Sequence, residues 1–192
     1  MGSIVRRESP HRDRGASEEY LHLSRRADAM PGSLVEQVLR AIENAQGLYH
    51  RLALLVGSPG TGKTVALLAV AEQIRAPRIN LNLELSRRLM GLTARQRVLR
   101  LPAVLTEVLA AVTGDILLLD NIEMLFDAAL QQDPLRHFQA ASRNRTVVVA
   151  WPGAVARDDR GQASLTYAAP GHSEYRRYPA ADLVVVESLA VA

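Results

Sequence analysis

The chain has 192 residues, a net charge of +3 and 23 basic side chains, of which Lys63 is the single lysine among arginines. It contains no cysteine and is 48% apolar, which excludes a disulfide scaffold, a Cys-ligated zinc or iron–sulfur site and a Lys/Glu-rich solvated coil. The length suits one domain with a sizeable core, and so small a net charge does not by itself imply a nucleic-acid partner.

Residues 1–30 are polar, charged and aperiodic and read as a disordered N-terminal extension, with Met30 as an alternative start of the natural chain. The extension lacks a hydrophobic h-region and carries Glu8, Asp13, Glu18 and Glu19, unlike a secretory or organellar leader. No apolar run reaches the roughly 18–20 residues of a membrane helix, so the expected location is cytoplasmic, with no membrane partner. Residues 31–192 are expected to form the domain. Ser33-x-x-Glu36 opens a capped amphipathic helix that Gly47 ends. Leu52–Val56 is a buried strand, and a helix runs from about Gly62 to Arg75 with Leu67, Leu68, Val70, Ala71 and Ile74 inward.

The alternation in Ile79–Leu83 predicts a second strand. Residues 84–112 read as helix in two pieces, interrupted near Gly91 and Pro102. Ile116–Leu119 is a third buried strand ending at Asp120, and Pro134–Ser142 a helix. Thr146–Trp151 is a fourth strand and Leu183–Glu187 a fifth, with a turn at Arg157–Gly161 between. Strands alternating with helices predict an α/β fold, a three-layer α/β/α sandwich with a mainly parallel five-stranded sheet, and the G-S-P-G-T-G-K-T run over residues 57–64, between the first strand and its helix, makes it a P-loop NTPase sandwich.

Gly57-Ser58-Pro59-Gly60-Thr61-Gly62-Lys63-Thr64 is a complete G-x-x-x-x-G-K-[ST] element between strand and helix. Its glycines let backbone N–H groups converge on phosphate oxygens, and the following helix adds the positive end of its dipole. Lys63 offers a compact charge to the β- and γ-phosphates where a planar guanidinium would be too bulky. The Thr64 hydroxyl can ligate Mg²⁺, and Asp120, closing the Walker B run Asp115-Ile-Leu-Leu-Leu-Asp120, can hold the same ion through water. ATP and Mg²⁺ are therefore the expected ligands, since a guanine-reading Asn-Lys-x-Asp motif cannot exist when Lys63 is the only lysine.

Asn121 occupies the place where many P-loop ATPases carry a catalytic glutamate. Its amide can orient water but cannot take its proton, which leaves Glu123 as the candidate base and non-hydrolysing ATP binding as an alternative. Arg143 and Arg145 precede the fourth strand at the sheet edge opposite the nucleotide, where they could serve a neighbouring subunit as an arginine finger. Arg87, Arg88, Arg95 and Arg97 could imitate a kinase lid, a second alternative. Trp151 replaces the polar sensor residue usual in AAA+ ATPases, and the roughly 40 residues after it are too few for a helical lid, which suggests an AAA+-like minimal core.

Residues 75–100 hold seven arginines and one acid, Glu84, whereas residues 101–135 hold six acids and no base. The two blocks either pair within one molecule or meet head-to-tail between molecules. The basic block also leaves room for sequence-independent DNA contact. Tyr167, Tyr175 and Tyr178 around Arg176-Arg177 read as a surface hairpin, and the five histidines show no metal-ligand spacing.

Beyond the generic P-loop, several segments are specific: N-L-N-L-E-L-S-R-R-L (80–89), L-L-L-D-N-I-E-M-L-F (117–126), D-P-L (133–135), S-R-N-R-T-V-V-V-A-W-P-G (142–153) and P-G-H-S-E-Y-R-R-Y (170–178). Together they resemble the BrxF family of small P-loop proteins from type 3 BREX phage-defence systems, over about residues 33–188. The resemblance implies an ATP-binding, ATP-hydrolysing accessory subunit beside larger defence components, with Asn121 a family trait and turnover dependent on a homo-oligomer or partner.

Overall fold

A computed structural model describes residues 33–188; the expected extension over residues 1–30 lies outside the described residues. Helix α1 spans Leu34–Gln46, and the Ser33 side chain accepts the Glu36 N–H at 3.3 Å. Strand β1 follows at Leu52–Gly57, then helix α2 at Lys63–Ile74, strand β2 at Arg78–Asn80, and helices α3 at Leu81–Leu89 and α4 at Ala94–Ala110. Strand β3 (Ile116–Asp120) leads through two 3₁₀ turns, Glu123–Phe126 and Ala128–Leu130, to helix α5 (Pro134–Ala141). Strands β4 (Thr146–Arg157), β5 (Ala163–Tyr167), β6 (Arg176–Pro179) and β7 (Val184–Glu187) complete the described residues.

Five parallel strands form the main sheet in the order β2-β3-β4-β1-β7. Their apolar runs are continuous because both faces are covered. Along β1, Leu52, Leu54 and Val56 face the layer of α3, α4 and α5, while Ala53 and Leu55 face α1 and α2. This is the expected three-layer sandwich. Beyond Pro152, β4 leaves its parallel neighbours and pairs antiparallel with β5, which pairs with β6, so among the described residues the sheet has seven strands rather than five. At that departure a Cβ on Gly153 would stand 1.9 Å from the Thr166 carbonyl oxygen, so only glycine fits.

Three local expectations are corrected. The second strand stops at Asn80: its side chain accepts the Leu83 N–H at 3.1 Å and caps α3, whose Leu81, Leu85 and Leu89 recur at helical spacing and are buried. Helix α4 passes through Pro102 unbroken, since Leu101, Val104, Leu105, Val108 and Leu109 bury one stripe and Pro102 lies on the exposed face; Gly91, at φ 80°, supplies the break. Leu68 points outward from α2, where Ala66, Leu67, Ala69 and Val70 face the core.

Candidate functional site

The parallel register brings the C-terminal ends of β1, β3 and β4 together: Gly57 lies opposite Pro152, and Asp120 opposite Asn80. Between them opens a cleft of about 380 Å³ lined by Pro59, Gly60, Gly62, Lys63, Thr64, Val65, Asp120, Asn121, Glu123, Ala150 and Pro152. Gly60 and Gly62 have φ of 81° and 83°, the left-handed region that lets successive N–H groups turn toward one point. A Cβ on Gly57 would sit 2.6 Å from the Ser188 carbonyl oxygen, so a side chain there would push β7 away from the loop.

Lys63 Nζ donates to the Gly57 carbonyl at 2.6 Å and the Ser58 carbonyl at 2.7 Å. Two of its three donors thus staple the loop and one is left for a ligand. Burial pulls its pKa below the ordinary lysine value, against the opposing field of Glu123 and Asp120. The Thr64 hydroxyl donates to Asp120 Oδ1 at 3.2 Å, so the two groups expected to share Mg²⁺ do meet. This pair of oxygens is the hard donor set that a magnesium ion takes alongside water and phosphate.

Asn121 follows directly, with φ 51°, a left-handed conformation that Asn tolerates better than most residues. Its carbonyl accepts the Asn82 N–H at 2.8 Å. Glu123 lines the same cleft, and its Oε2 accepts from Asn82 Nδ2 at 2.8 Å, while Asn82 Oδ1 accepts the Met124 N–H at 2.9 Å. Asn82, at the start of α3, therefore ties down the turn that carries both candidate catalytic positions. Sequence reasoning placed Asn82 in a strand and missed this role.

Three further contacts were also missed. Arg78 Nη1 pairs with Asp120 Oδ2 at 2.9 Å, which joins the basic and acidic blocks within one molecule. The Ser188 hydroxyl donates to the Thr61 carbonyl and anchors the loop to the end of β7. Trp151, fully buried, is no sensor: its Nε1 donates to the Thr166 carbonyl at 2.9 Å, and its ring packs edge-on against Phe126 and Tyr178. Phe126 in turn stacks on Tyr167, whose hydroxyl burial and the nearby Glu174 and Glu123 carboxylates push up to about 12. The aromatic group fastens the β5–β6 hairpin to the turn after β3.

The two candidate finger arginines separate. Arg145 donates to the carbonyls of Leu109 and Val112 at the end of α4 and is half-buried, which makes it a helix-terminus anchor rather than a free finger. Arg143 is exposed, 5.9 Å above the exposed Tyr49 ring. Arg87 and Arg88 lie within reach of Glu84 at 3.3 and 3.9 Å, and neither they nor Arg95 and Arg97 line the cleft. No helix among the described residues is long and apolar enough to cross a membrane.

Residues 53–150 match the model of the ATPase family associated with various cellular activities (AAA). No curated protein matches the chain. Among solved structures it is similar to PCH-2 of C. elegans, with 14% identity and a TM-score of 0.32 over 74% of this chain. The match spans 39% of the PCH-2 chain, well under half its length.

Proposed function

The chain belongs to the AAA family of ATPases, and on that premise we propose that it binds Mg²⁺ and ATP in the cleft between the β1–α2 loop and the tip of β3, and hydrolyses ATP when a neighbouring subunit completes the site. One juxtaposition carries this reading: the Lys63 ammonium, the Thr64 hydroxyl and the Asp120 carboxylate converge on one cleft. Lys63, with one donor beyond its two loop carbonyls, meets the terminal phosphates, and the α2 N-terminus adds its dipole. Thr64 and Asp120 would hold the metal, which when bound neutralises developing charge on the phosphates.

The Asn121 side-chain amide orients the attacking water. Glu123 is the carboxylate able to take its proton, and the Asn82 Nδ2 bond to its Oε2 holds it against the turn. An isolated subunit in this arrangement turns over slowly, and Arg143, exposed at the far end of the sheet, is the group available to a neighbour's phosphates. Hydrolysis assayed across a wide range of protein concentration tests this. Turnover per chain is expected to rise steeply and to fall with Arg143→Ala; a flat profile untouched by that substitution would overturn it.

The hold of Asn82 on Glu123 favours a second reading, an ATP-dependent switch without hydrolysis. Asn121→Glu would then create turnover that wild type lacks even with its partners present. As to setting, the BrxF-like segments support an accessory role in bacterial defence against phage, with residues 31–192 as the working domain. Protection of a defended host should be lost with Lys63→Arg, and full protection by that variant would exclude an ATP-driven role. The exposed Arg95, Arg97 and Arg100 of α4 suit at most sequence-independent contact with DNA, which would weaken steeply with salt.

A further inference from the structure

We propose that Arg78 is a positioning residue that sets the divalent-cation affinity of this site by sharing Asp120 with the metal; the proposal rests on the nucleotide-binding reading above. Asp120 is 2% exposed, and its two oxygens have different partners. Oδ1 accepts from the Thr64 hydroxyl at 3.2 Å and from the Asn121 N–H at 3.0 Å. Oδ2 accepts from Arg78 Nη1 at 2.9 Å. The guanidinium thus fixes the carboxylate plane so that Oδ1 is the oxygen turned toward Thr64.

The topology explains how Arg78 arrives. It stands opposite Leu118 in the β2–β3 register, two residues short of the Asn80–Asp120 pair, so its side chain runs diagonally along the strand to the tip. In the main sheet β2 is an edge strand, and the Arg78 side chain keeps 27% of its surface in water. The other paired arginines of the basic block, Arg87 and Arg88, go to Glu84, so Arg78 alone of these reaches the cleft wall.

A buried carboxylate needs a countercharge. Here a fixed guanidinium supplies it on one side, and the metal would supply it on the other. The fixed charge weakens the pull of Asp120 on a dication while holding Oδ1 in place. Even at the dielectric of water, a unit charge several ångströms from a dication changes its affinity by about tenfold. Cation loading in turn loosens the Arg78–Asp120 pair, because the two positive groups compete for one carboxylate.

The test uses Mn²⁺ as the probe, titrated by electron paramagnetic resonance onto the ADP-bound protein, so that no turnover is involved. Arg78→Gln should tighten Mn²⁺ about tenfold, and Arg78→Lys, which keeps the charge, should stay within about threefold of wild type. ADP affinity in EDTA should be nearly unchanged in both. If Arg78→Gln leaves Mn²⁺ binding unchanged or weakens it, the proposal is wrong and Arg78 is a structural clamp. Should that variant not fold, the Arg78 Nη1–H signal of wild type answers instead: its exchange with water should quicken when Mg²⁺ joins bound ADP, and no change overturns the proposal. A wild type that binds no ADP at all would instead remove the nucleotide-binding reading itself.

Discussion

Replacing Asn82 with alanine cuts the clamp on the turn that follows β3. The substitution removes the bond from Nδ2 to Glu123 Oε2 and leaves the half-buried Met124 N–H without its Oδ1 acceptor. The backbone bond from Asn82 N–H to the Asn121 carbonyl survives. Losing the acceptor of a partly buried N–H costs about 1–2 kcal/mol. The exposed bond to the Glu123 carboxylate adds about 0.5 kcal/mol, and alanine returns a similar amount through its better helix propensity. A net loss of about 1–2 kcal/mol is expected, read in urea unfolding as a lower midpoint at unchanged slope. In a cycle with Glu123→Ala, the coupling between the two side chains should come to about 0.5 kcal/mol. A loss below about 0.3 kcal/mol would refute the clamp, because a real acceptor for a half-buried N–H cannot be removed so cheaply.

The remaining expectations separate structure from catalysis. Arg145→Ala should cost about 1–2 kcal/mol by freeing the carbonyls of Leu109 and Val112, with turnover per folded chain unchanged. Gly153→Ala should yield no folded protein by circular dichroism, because the added Cβ would stand 1.9 Å from the Thr166 oxygen. Burial holds His137 below its ordinary 6.5, so the unfolded chain takes up its proton first. Its contribution to stability is therefore present above 6.5 and lost as pH falls below that value toward the lower folded-state pKa. The stability difference between wild type and His137→Gln should shrink accordingly across that range, and a constant difference would remove His137 from the acid response.

Much of the fold was legible because its signals are local. The apolar runs at Leu52–Gly57 and Ile116–Asp120 are strands buried on both faces, and the glycine-rich loop between β1 and α2 announces its own geometry. The stretch from Ile79 to Leu83 misled because five residues of apolar–Asn alternation fit a strand, while the four-residue spacing of Leu81, Leu85 and Leu89 needs a longer window to read. Pro102 misled because helix breaking is a local preference, which a buried stripe of five side chains overrides. The site was legible in its P-loop and in Asp120. The contacts of Arg78, Asn82 and Ser188 were not, since they join residues 42, 41 and 127 positions apart and depend on strand order. Arg145 carries no local sign that its charge would anchor a helix end instead of meeting a neighbour.

On the proposed reading, Lys63 makes the β1–α2 loop a phosphate site through two loop carbonyls, at 2.6 and 2.7 Å, and one free donor. Titrating a fluorescent ATP analogue with Mg²⁺ into wild type and Lys63→Arg tests it directly, with thermal unfolding as the check on folding. Saturable binding by wild type and at least about a hundredfold weaker binding by the equally charged variant are expected, because the guanidinium fork cannot replace a compact ammonium there. Equal binding by the two proteins would overturn that role for Lys63.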